Sequence, residues 1–424
     1  MKALTKISIG FLALVAAALW FTSCSSEDVA SGTNQGKMSS LTLTINTGKS
    51  IGSRATDWTA DPAGNENDIN RITVGIFSAD GTTLRTIVEL TSGTGTDNTF
   101  KSETNGASTT IVTNSLQDGD LIKVAVNAPT GHFVGIKTAN DFMNKSEEAK
   151  DALTNSTDLT KEACNNNVPM YGEGKLTPKN TGDNSVFKVS GDKVTVKHML
   201  AKVSLESLKV DFKAGSAYAN AEFTPVAAFL INVPDKMDFT TAVWNSGASL
   251  LHGWSAYDTS DATNCTFSYT AGNTGGSGTY AQYLTTENLT ATALSGTATS
   301  TAKAWFYTLP NDRVDDGAAV TNNTKLVIAG KFTENKSATS PKTEMVYYSL
   351  PINATYKASS HKYEKPTGGD GSVFQVCPNQ NYKCSVVIRT KGSSTPNTNL
   401  TPQEAEIKVE VTNFVDVSQD AEFN

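Results

Sequence analysis

The sequence has few of the residues on which metal and catalytic sites usually depend. It contains 4 histidines, 5 cysteines and 5 tryptophans among 424 residues. The histidines are far apart, and none has a second ligand at the short spacing that zinc sites use; they are His132, His198, His252 and His361. The sequence therefore predicts no metal site, because an isolated histidine beside an apolar strand is usually a core or surface residue.

Motifs that carry enzyme chemistry are also missing. The chain has no P-loop and no G-x-G-x-x-G placed after a strand. The glycines at 275–278 lie in a low-complexity region, and Asp61 to Asp68 lacks the alternating ligands of a calcium loop. We therefore predict no catalytic residues and no cofactor. Carboxylate pairs for glycoside hydrolysis are defined by spatial distance, which a sequence does not give.

Charged residues are scarce and form no basic patch. They make up 18% of the chain, with a net charge of -7. This fraction is below the usual ~25% of soluble domains. Lysines and arginines are scattered singly, whereas nucleic-acid binding needs a basic stripe or cluster. Nucleic acid is therefore not an expected partner.

The N-terminus carries an export signal. Two lysines precede an apolar run at 7–21, and a run of about 15 residues fits a signal-peptide core better than a membrane span. We predict a signal peptide over residues 1–23. Small residues then precede Cys24, a pattern that resembles a bacterial lipobox, so Cys24 is the predicted lipidated N-terminus. The alternative is a free cysteine near an ordinary cleavage site.

A short strand follows in the predicted propeptide, residues 24–54. Leu41, Leu43 and Ile45 alternate with polar residues, which predicts a strand with one buried face and one exposed face.

The strand leads into a segment that a trypsin-like protease would cut. Small residues surround Arg54 and Ala55, so the backbone there is expected to be accessible. We predict cleavage between these two residues, with Lys49 as the nearest competing site. Such a cut would separate the body of the protein from its lipid.

The remainder of the chain is predicted to be mainly β. About 370 residues follow Arg54, which is too many for one compact core, so we predict two domains at 55–189 and 190–404. Asp80-Gly81 is a tight-turn dipeptide between two alternating segments and predicts a hairpin. Alternating strands are interrupted by one or two short helices within 140–153 and by a Thr/Ser-rich insertion at 255–303.

The cysteines of the body leave two alternatives open. An oxidising compartment permits disulfides, and Cys377 and Cys384 flank a turn. They would then either join across a hairpin or remain small buried thiols.

The chain ends in a linker and a long apolar-alternating strand at 405–424. The residues of one parity are Ile407, Val409, Val411, Val415 and Val417. Either this strand pairs within its own sheet, or the linker carries it elsewhere. A dozen extended residues at ~3.3 Å each would reach ~40 Å. On the residues alone, pairing within its own sheet is favoured.

Short motifs along the chain resemble the Bacteroidetes major fimbrial subunit (fimbrillin) family. They are the lipobox, the strand leading to Arg54-Ala55-Thr56, Val124-Ala125-Val126-Asn127-Ala128-Pro129, Val168-Pro169-Met170-Tyr171-Gly172, Met199-Leu200-Ala201-Lys202-Val203, Tyr307-Thr308-Leu309-Pro310-Asn311, Asn381-Tyr382-Lys383-Cys384 and Val411-Thr412-Asn413-Phe414-Val415-Asp416-Val417. Each motif is short, so the resemblance depends on their order across nearly the whole chain. Phe414 stands where tryptophan is expected.

The resemblance implies a pilin with two transthyretin-like β-sandwich domains. In that family a trypsin-like protease removes the first strand and the C-terminal strand of a neighbour fills the groove. Arg54 and residues 405–424 match these roles by position. The implied partners are other copies, other fimbrial subunits and the protease. The implied location is the outer membrane for the lipidated precursor and the extracellular fimbria afterwards.

Other functions remain as alternatives. Tip and anchor subunits resemble stalk subunits outside their ends. A surface glycan-binding lipoprotein would use aromatic stacking platforms, and the candidates are Trp58, Trp244, Trp254 and Trp305. Aromatic residues in β-sandwiches are more often part of the core.

Overall fold

The alternating apolar pattern folds into strands along most of the chain. The computed structural model describes residues 38–47, 66–93, 98–154, 164, 167–240, 249–253, 281–286, 289, 292–312, 322–357, 362–396 and 405–413. Several predicted site residues lie outside these ranges: Cys24, Arg54, Ala55, Trp58, Trp244, Trp254, Val415 and Val417.

The described residues of the N-terminal half form eleven strands. They are β1 (Met38–Asn46), β2 (Arg71–Phe77), β3 (Leu84–Ser92), β4 (Thr99–Glu103), β5 (Gly106–Asn114), β6 (Leu121–Val126), β7 (Ser146–Glu148), β8 (Met170–Asn180), β9 (Asp183–Val189), β10 (Val194–Thr195) and β11 (Lys197–His198).

These strands build two layers around one apolar core. One layer holds β1, β4, β5, β9 and β10, and the other holds β2, β3, β6, β8 and β11. Strand β8 connects the layers, because its first half pairs with β6 and its second half pairs with β9. The aliphatic faces of β1, β2 and β6 meet between the layers.

The predicted hairpin at Asp80-Gly81 joins β2 to β3. The Asp80 carboxylate accepts hydrogen bonds from the Ser78 hydroxyl and from the backbone N–H and hydroxyl of Thr82. These bonds favour the ionised form and lower the pKa of Asp80 to about 2. The turn residue therefore fixes the hairpin as the sequence predicted.

Two short helices interrupt the sheets in the predicted region. They are α1 (Ala139–Met143) and α2 (Ala149–Leu153). Thr138 and Asp141 form a capping box at the start of α1, which satisfies backbone donors there. None of the helices in the described part of the chain is long and apolar enough to span a membrane.

The C-terminal half contributes the other strands. They are β12 (Ala201–Val210), β13 (Glu222–Ile231), β14 (Val233–Pro234), β15 (Lys236–Asp238), β16 (Leu250–Leu251), β17 (Thr285–Thr286), β18 (Leu294–Ser295), β19 (Thr299–Ser300), β20 (Ala304–Thr308), β21 (Lys325–Thr333), β22 (Thr343–Pro351), β23 (Thr355–Lys357), β24 (Lys362–Glu364), β25 (Gln380–Ile388) and β26 (Ala405–Asn413). A 3₁₀ helix spans Gln282–Leu284.

Two five-stranded sheets dominate this half. One contains β12, β19, β20, β25 and β26, and the other contains β13, β17, β18, β21 and β22. Buried side chains from both sheets belong to one core cluster, including Leu205, Phe223 and Val386. The predicted mainly β fold is confirmed, with several sheets as tandem β-sandwiches require. The domain limits 55–189 and 190–404 stay a prediction.

The cysteines of the described residues are thiols. Cys164, Cys377 and Cys384 are free and buried. Cys384 lies inside β25, opposite Val409. Of the two alternatives for Cys377 and Cys384, the structure has the pair of buried thiols.

Candidate assembly site

Strand β1 lies inside its sheet, with hydrogen-bonded neighbours on both sides. It pairs antiparallel with β5 over its whole length, from Met38 opposite Asn114 to Asn46 opposite Gly106. On its other side it runs parallel to β9 and then to β10. Removing β1 would therefore leave unpaired backbone groups along two edges of the sheet.

The predicted inward face of β1 is buried. Leu41 and Leu43 are fully buried, and Ile45 is 2% exposed. Across the ladders Leu41 pairs with Ile111 and Phe187, which are buried in the same cluster. The three aliphatic side chains thus fill the centre of the space between the two layers.

The buried face of β1 has polar ends that the sequence prediction missed. Ser39 is 3% exposed and Thr47 is 2% exposed, and both share the parity of the aliphatic residues. The Ser39 hydroxyl donates to the carbonyl of Asn184. Positions 39, 41, 43, 45 and 47 alternate along the chain and so face the same side of the strand, which the sequence shows. The sequence does not show that the two ends are buried, because serine and threonine are usually exposed.

The chain after the predicted cleavage segment is fixed to the C-terminal half. The Glu66 carboxylate lies 3.3 Å from Lys202 Nζ and accepts a hydrogen bond from the Tyr307 hydroxyl. Its backbone carbonyl is 2.9 Å from His198 Nε2. Lys202 and His198 are buried, and burial lowers the pKa of His198.

Sequence reasoning could not find this Glu66 cluster. The partners are 136 and 241 positions away from Glu66 in the chain. Only the fold brings them together.

Strand β26, the predicted donor, pairs within its own chain in this structure. It forms the last strand of its sheet and runs antiparallel to β25, from Ala405 opposite Ile388 to Asn413 opposite Gln380. Val409 and Val411 are 5% and 6% exposed, whereas Lys408 and Glu410 face solvent. The alternation predicted for this strand is thus present at Val409 and Val411, and it matches that of β1; the side chain of Ile407 lies outside the described part of the structure.

The described residues offer little for metal or glycan binding. No group of three histidine, cysteine, aspartate or glutamate side chains among them is placed to hold a metal ion. Trp305 is 7% exposed and packs edge-on against Tyr307, with ring centroids 5.3 Å apart. Such a buried ring is a core residue and presents no stacking face to a sugar.

Residues 39–207 match the family described as major fimbrial subunit protein (FimA). The match begins within β1 and ends within β12. The resemblance predicted from the sequence motifs is confirmed over this part of the chain. No curated protein matches the sequence.

Solved structures share the fold. A fimbrilin from Porphyromonas gingivalis is 16% identical, with a TM-score of 0.57, and the match covers 91% of this chain and 99% of the other. A candidate cell adhesion protein from Parabacteroides distasonis is 17% identical, with a TM-score of 0.58 and coverage of 89% and 100%. Another, from Bacteroides eggerthii, is 20% identical, with a TM-score of 0.54 and coverage of 91% and 100%. At these identities the likeness is one of fold.

Proposed function

We propose, on the premise that residues 39–207 belong to the major fimbrial subunit family, that this chain is a structural subunit of a cell-surface fimbria and not an enzyme. It is exported as a lipoprotein acylated on Cys24, cleaved between Arg54 and Ala55, and polymerised by donor-strand exchange. The subunit forms part of the fimbrial stalk and supports adhesion. Its partners are other copies of itself and other fimbrial subunits.

The single observation that carries this proposal is the place of β1. It is a central strand of its sheet, yet it precedes the segment that holds the predicted cleavage site. A cut in that segment breaks the covalent connection between β1 and the strands that follow it, so that only non-covalent contacts hold β1 in place. No other strand of the described residues combines such burial with a free end after one cut.

Loss of β1 leaves a groove that needs a replacement. Leu41, Leu43 and Ile45 each contribute ~1.5 to 3 kcal/mol by burial, against a total stability of ~5 to 15 kcal/mol for a typical domain. An empty groove would therefore cost a large part of the stability of the fold. While β1 remains covalently attached, it occupies the groove without any entropy cost of association.

The C-terminal strand of a second copy supplies the replacement. Strand β26 is nine residues long, as β1 is, and presents aliphatic residues at every second position. An added strand also restores the backbone hydrogen bonds of both exposed edges, as in other cases of strand complementation. Because groove and donor are different surfaces, the contact is heterologous and extends into a filament.

The lipid on Cys24 holds the precursor at the outer membrane until cleavage. A trypsin-like protease then releases the body from the acylated propeptide, residues 24–54. The mature subunit becomes part of an extracellular fimbria.

Deletion of residues 405–424 tests the proposal. The truncated subunit should fold, be processed and remain monomeric, whereas the full chain should form ladders of multimers that resist heating in detergent after treatment with trypsin. A matched control replaces Lys408 and Glu410, which face solvent, with alanine and should polymerise normally. Normal filaments from the truncated chain would overturn donor-strand exchange. Filaments whose subunits still begin at Cys24 would instead indicate an anchor subunit.

A further inference from the structure

We infer that Asn413 sets the register in which the C-terminal strand of one copy enters the groove of the next. The inference rests on the strand exchange proposed above and adds which donor residue occupies which position. Ile407 takes the place of Leu41, Val409 that of Leu43, and Val411 that of Ile45.

The positions of the groove differ in polarity along its length. The central positions hold Leu41, Leu43 and Ile45 within an aliphatic and aromatic cluster. The terminal positions hold Ser39 and Thr47, which are polar and buried. A fitting donor therefore needs three aliphatic residues in the middle and small or polar residues at both ends.

Strand β26 has this arrangement in one register only. With Val409 at the position of Leu43, the small Ala405 reaches the position of Ser39 and Asn413 that of Thr47. The pattern of five inward positions then matches throughout. The donor runs in the direction of β1, antiparallel to β5 and parallel to β9.

Neighbouring registers of the same parity are disfavoured for different reasons. A shift of two residues in one direction places Asn413 at the position of Ile45, where its amide would be buried against apolar groups without a hydrogen-bond partner. A shift in the other direction places Ala405 at the position of Leu41 and leaves a cavity there. A shift of one residue would turn the charged face inward.

The end of the groove already accommodates a polar side chain. Thr47 is 2% exposed, and within the described part of the chain its hydroxyl has no hydrogen-bond partner. Its backbone N–H donates to the carbonyl of Asn105, 3.1 Å away. An asparagine amide, which is longer and both donates and accepts, suits this position better than any central one.

A disulfide between the exposed faces of β5 and the inserted donor strand shows which donor residue lies opposite a given residue of β5. Thr42 lies opposite Thr110 on β5, and both side chains are exposed. In the inferred register Lys408 of the neighbour replaces Thr42. We therefore combine Thr110→Cys with Glu406→Cys, Lys408→Cys or Glu410→Cys in full-length chains that also carry Cys265→Ser, and treat them with trypsin.

The Lys408→Cys chain should give a disulfide-linked ladder under oxidation, and the other two should give little. The uncleaved Thr42→Cys, Thr110→Cys chain serves as the positive control, because it should form the link within one molecule. A ladder dominated by position 406 or 410 overturns the register while leaving strand exchange intact. If none of the three chains forms a disulfide-linked ladder, strand exchange itself is overturned.

Substitution of the asparagine tests its role directly. Asn413→Val removes the penalty for the shifted register, so the Glu410→Cys link should rise by about tenfold or more. Asn413→Ser, which stays polar, and Thr412→Val, on the other face, should leave the distribution of links unchanged. An unchanged distribution in Asn413→Val shows that Asn413 does not set the register.

Discussion

Gly106 lies against the backbone of Ile45, so closely that a Cβ atom at position 106 would be 1.9 Å from the Ile45 carbonyl oxygen. The contact joins the last part of β1 to the start of β5. Gly106→Ala should therefore push β1 away from β5 and destabilise the uncleaved precursor by about 1 to 3 kcal/mol, the usual cost of overpacking. Urea unfolding of the precursor measures this loss.

Gly182→Ala is the matched control for Gly106→Ala. Gly182 also has a positive φ, of +82°, but nothing lies within 4 Å of the position that its Cβ would take. It reports the backbone cost of alanine without a clash. Equal losses in the two variants would show that the contact with Ile45 is unimportant.

Fatty-acid labelling of cells tests the lipid on Cys24. The precursor should incorporate the label, and Cys24→Ala should not, because the thioether-forming group is gone. Cys265→Ser is the control and should be labelled normally. Label that persists on Cys24→Ala would refute the lipobox assignment.

N-terminal sequencing of assembled subunits tests the processing site. The mature chain should begin at Ala55. Arg54→Gln removes the basic side chain that a trypsin-like protease needs and should abolish both processing and multimers. Lys49→Gln should be processed as the wild type is. A mature wild-type chain that starts at Ser50 would show that Lys49 is the true site.

The Glu66 cluster should stabilise the mature subunit. Lys202→Met removes a buried charged partner of the Glu66 carboxylate and should cost about 1 to 3 kcal/mol. The ion pair between Lys101 and Glu103 is exposed, so Lys101→Met should cost much less than Lys202→Met. Denaturant unfolding of the uncleaved chains, which contain the same cluster and do not polymerise, gives both values, and a Lys202→Met loss as small as the control would contradict the role of the cluster.

The stability of the fold should depend on pH through Glu147. This side chain is buried on β7, and burial, together with the nearby charge of Asp151, raises its pKa to about 8. The folded protein keeps the proton at pH values where the unfolded chain has lost it. Stability should therefore fall as the pH rises from about 4.3 to about 8, by at most ~1.4 kcal/mol per pH unit, and then level off.

Glu147→Gln cannot ionise and should lack this decline. Urea unfolding at several pH values between about 5 and about 8 compares the two proteins. Glu148→Gln alters the exposed neighbour and should keep the decline of the wild type. Parallel pH profiles of wild type and Glu147→Gln would exclude a raised pKa at this position.

Local features of the fold followed from the sequence. The alternation of Leu41, Leu43 and Ile45 predicted β1, and the Asp80-Gly81 turn predicted the hairpin of β2 and β3. Both depend on residues close in the chain, where side-chain parity and turn chemistry act directly.

Long-range features did not follow from it. The parallel pairing of β1 with β9 and β10 involves strands of seven and two residues, and a two-residue strand has no periodicity to detect. The burial of Glu147 at the pairing of β7 with β15 was equally hidden, since short charged segments normally indicate exposed loops.

The position of β1 between two strands also bears on mechanics. In a subunit assembled as proposed, the strand that replaces β1 would have hydrogen-bonded neighbours on both sides, so a force along its axis would act on both edges. Hydrogen bonds along both of its edges would then be sheared together, whereas a strand peeled from one end breaks them one after another. The joint between subunits would thus resist such a force along both edges of the inserted strand at once.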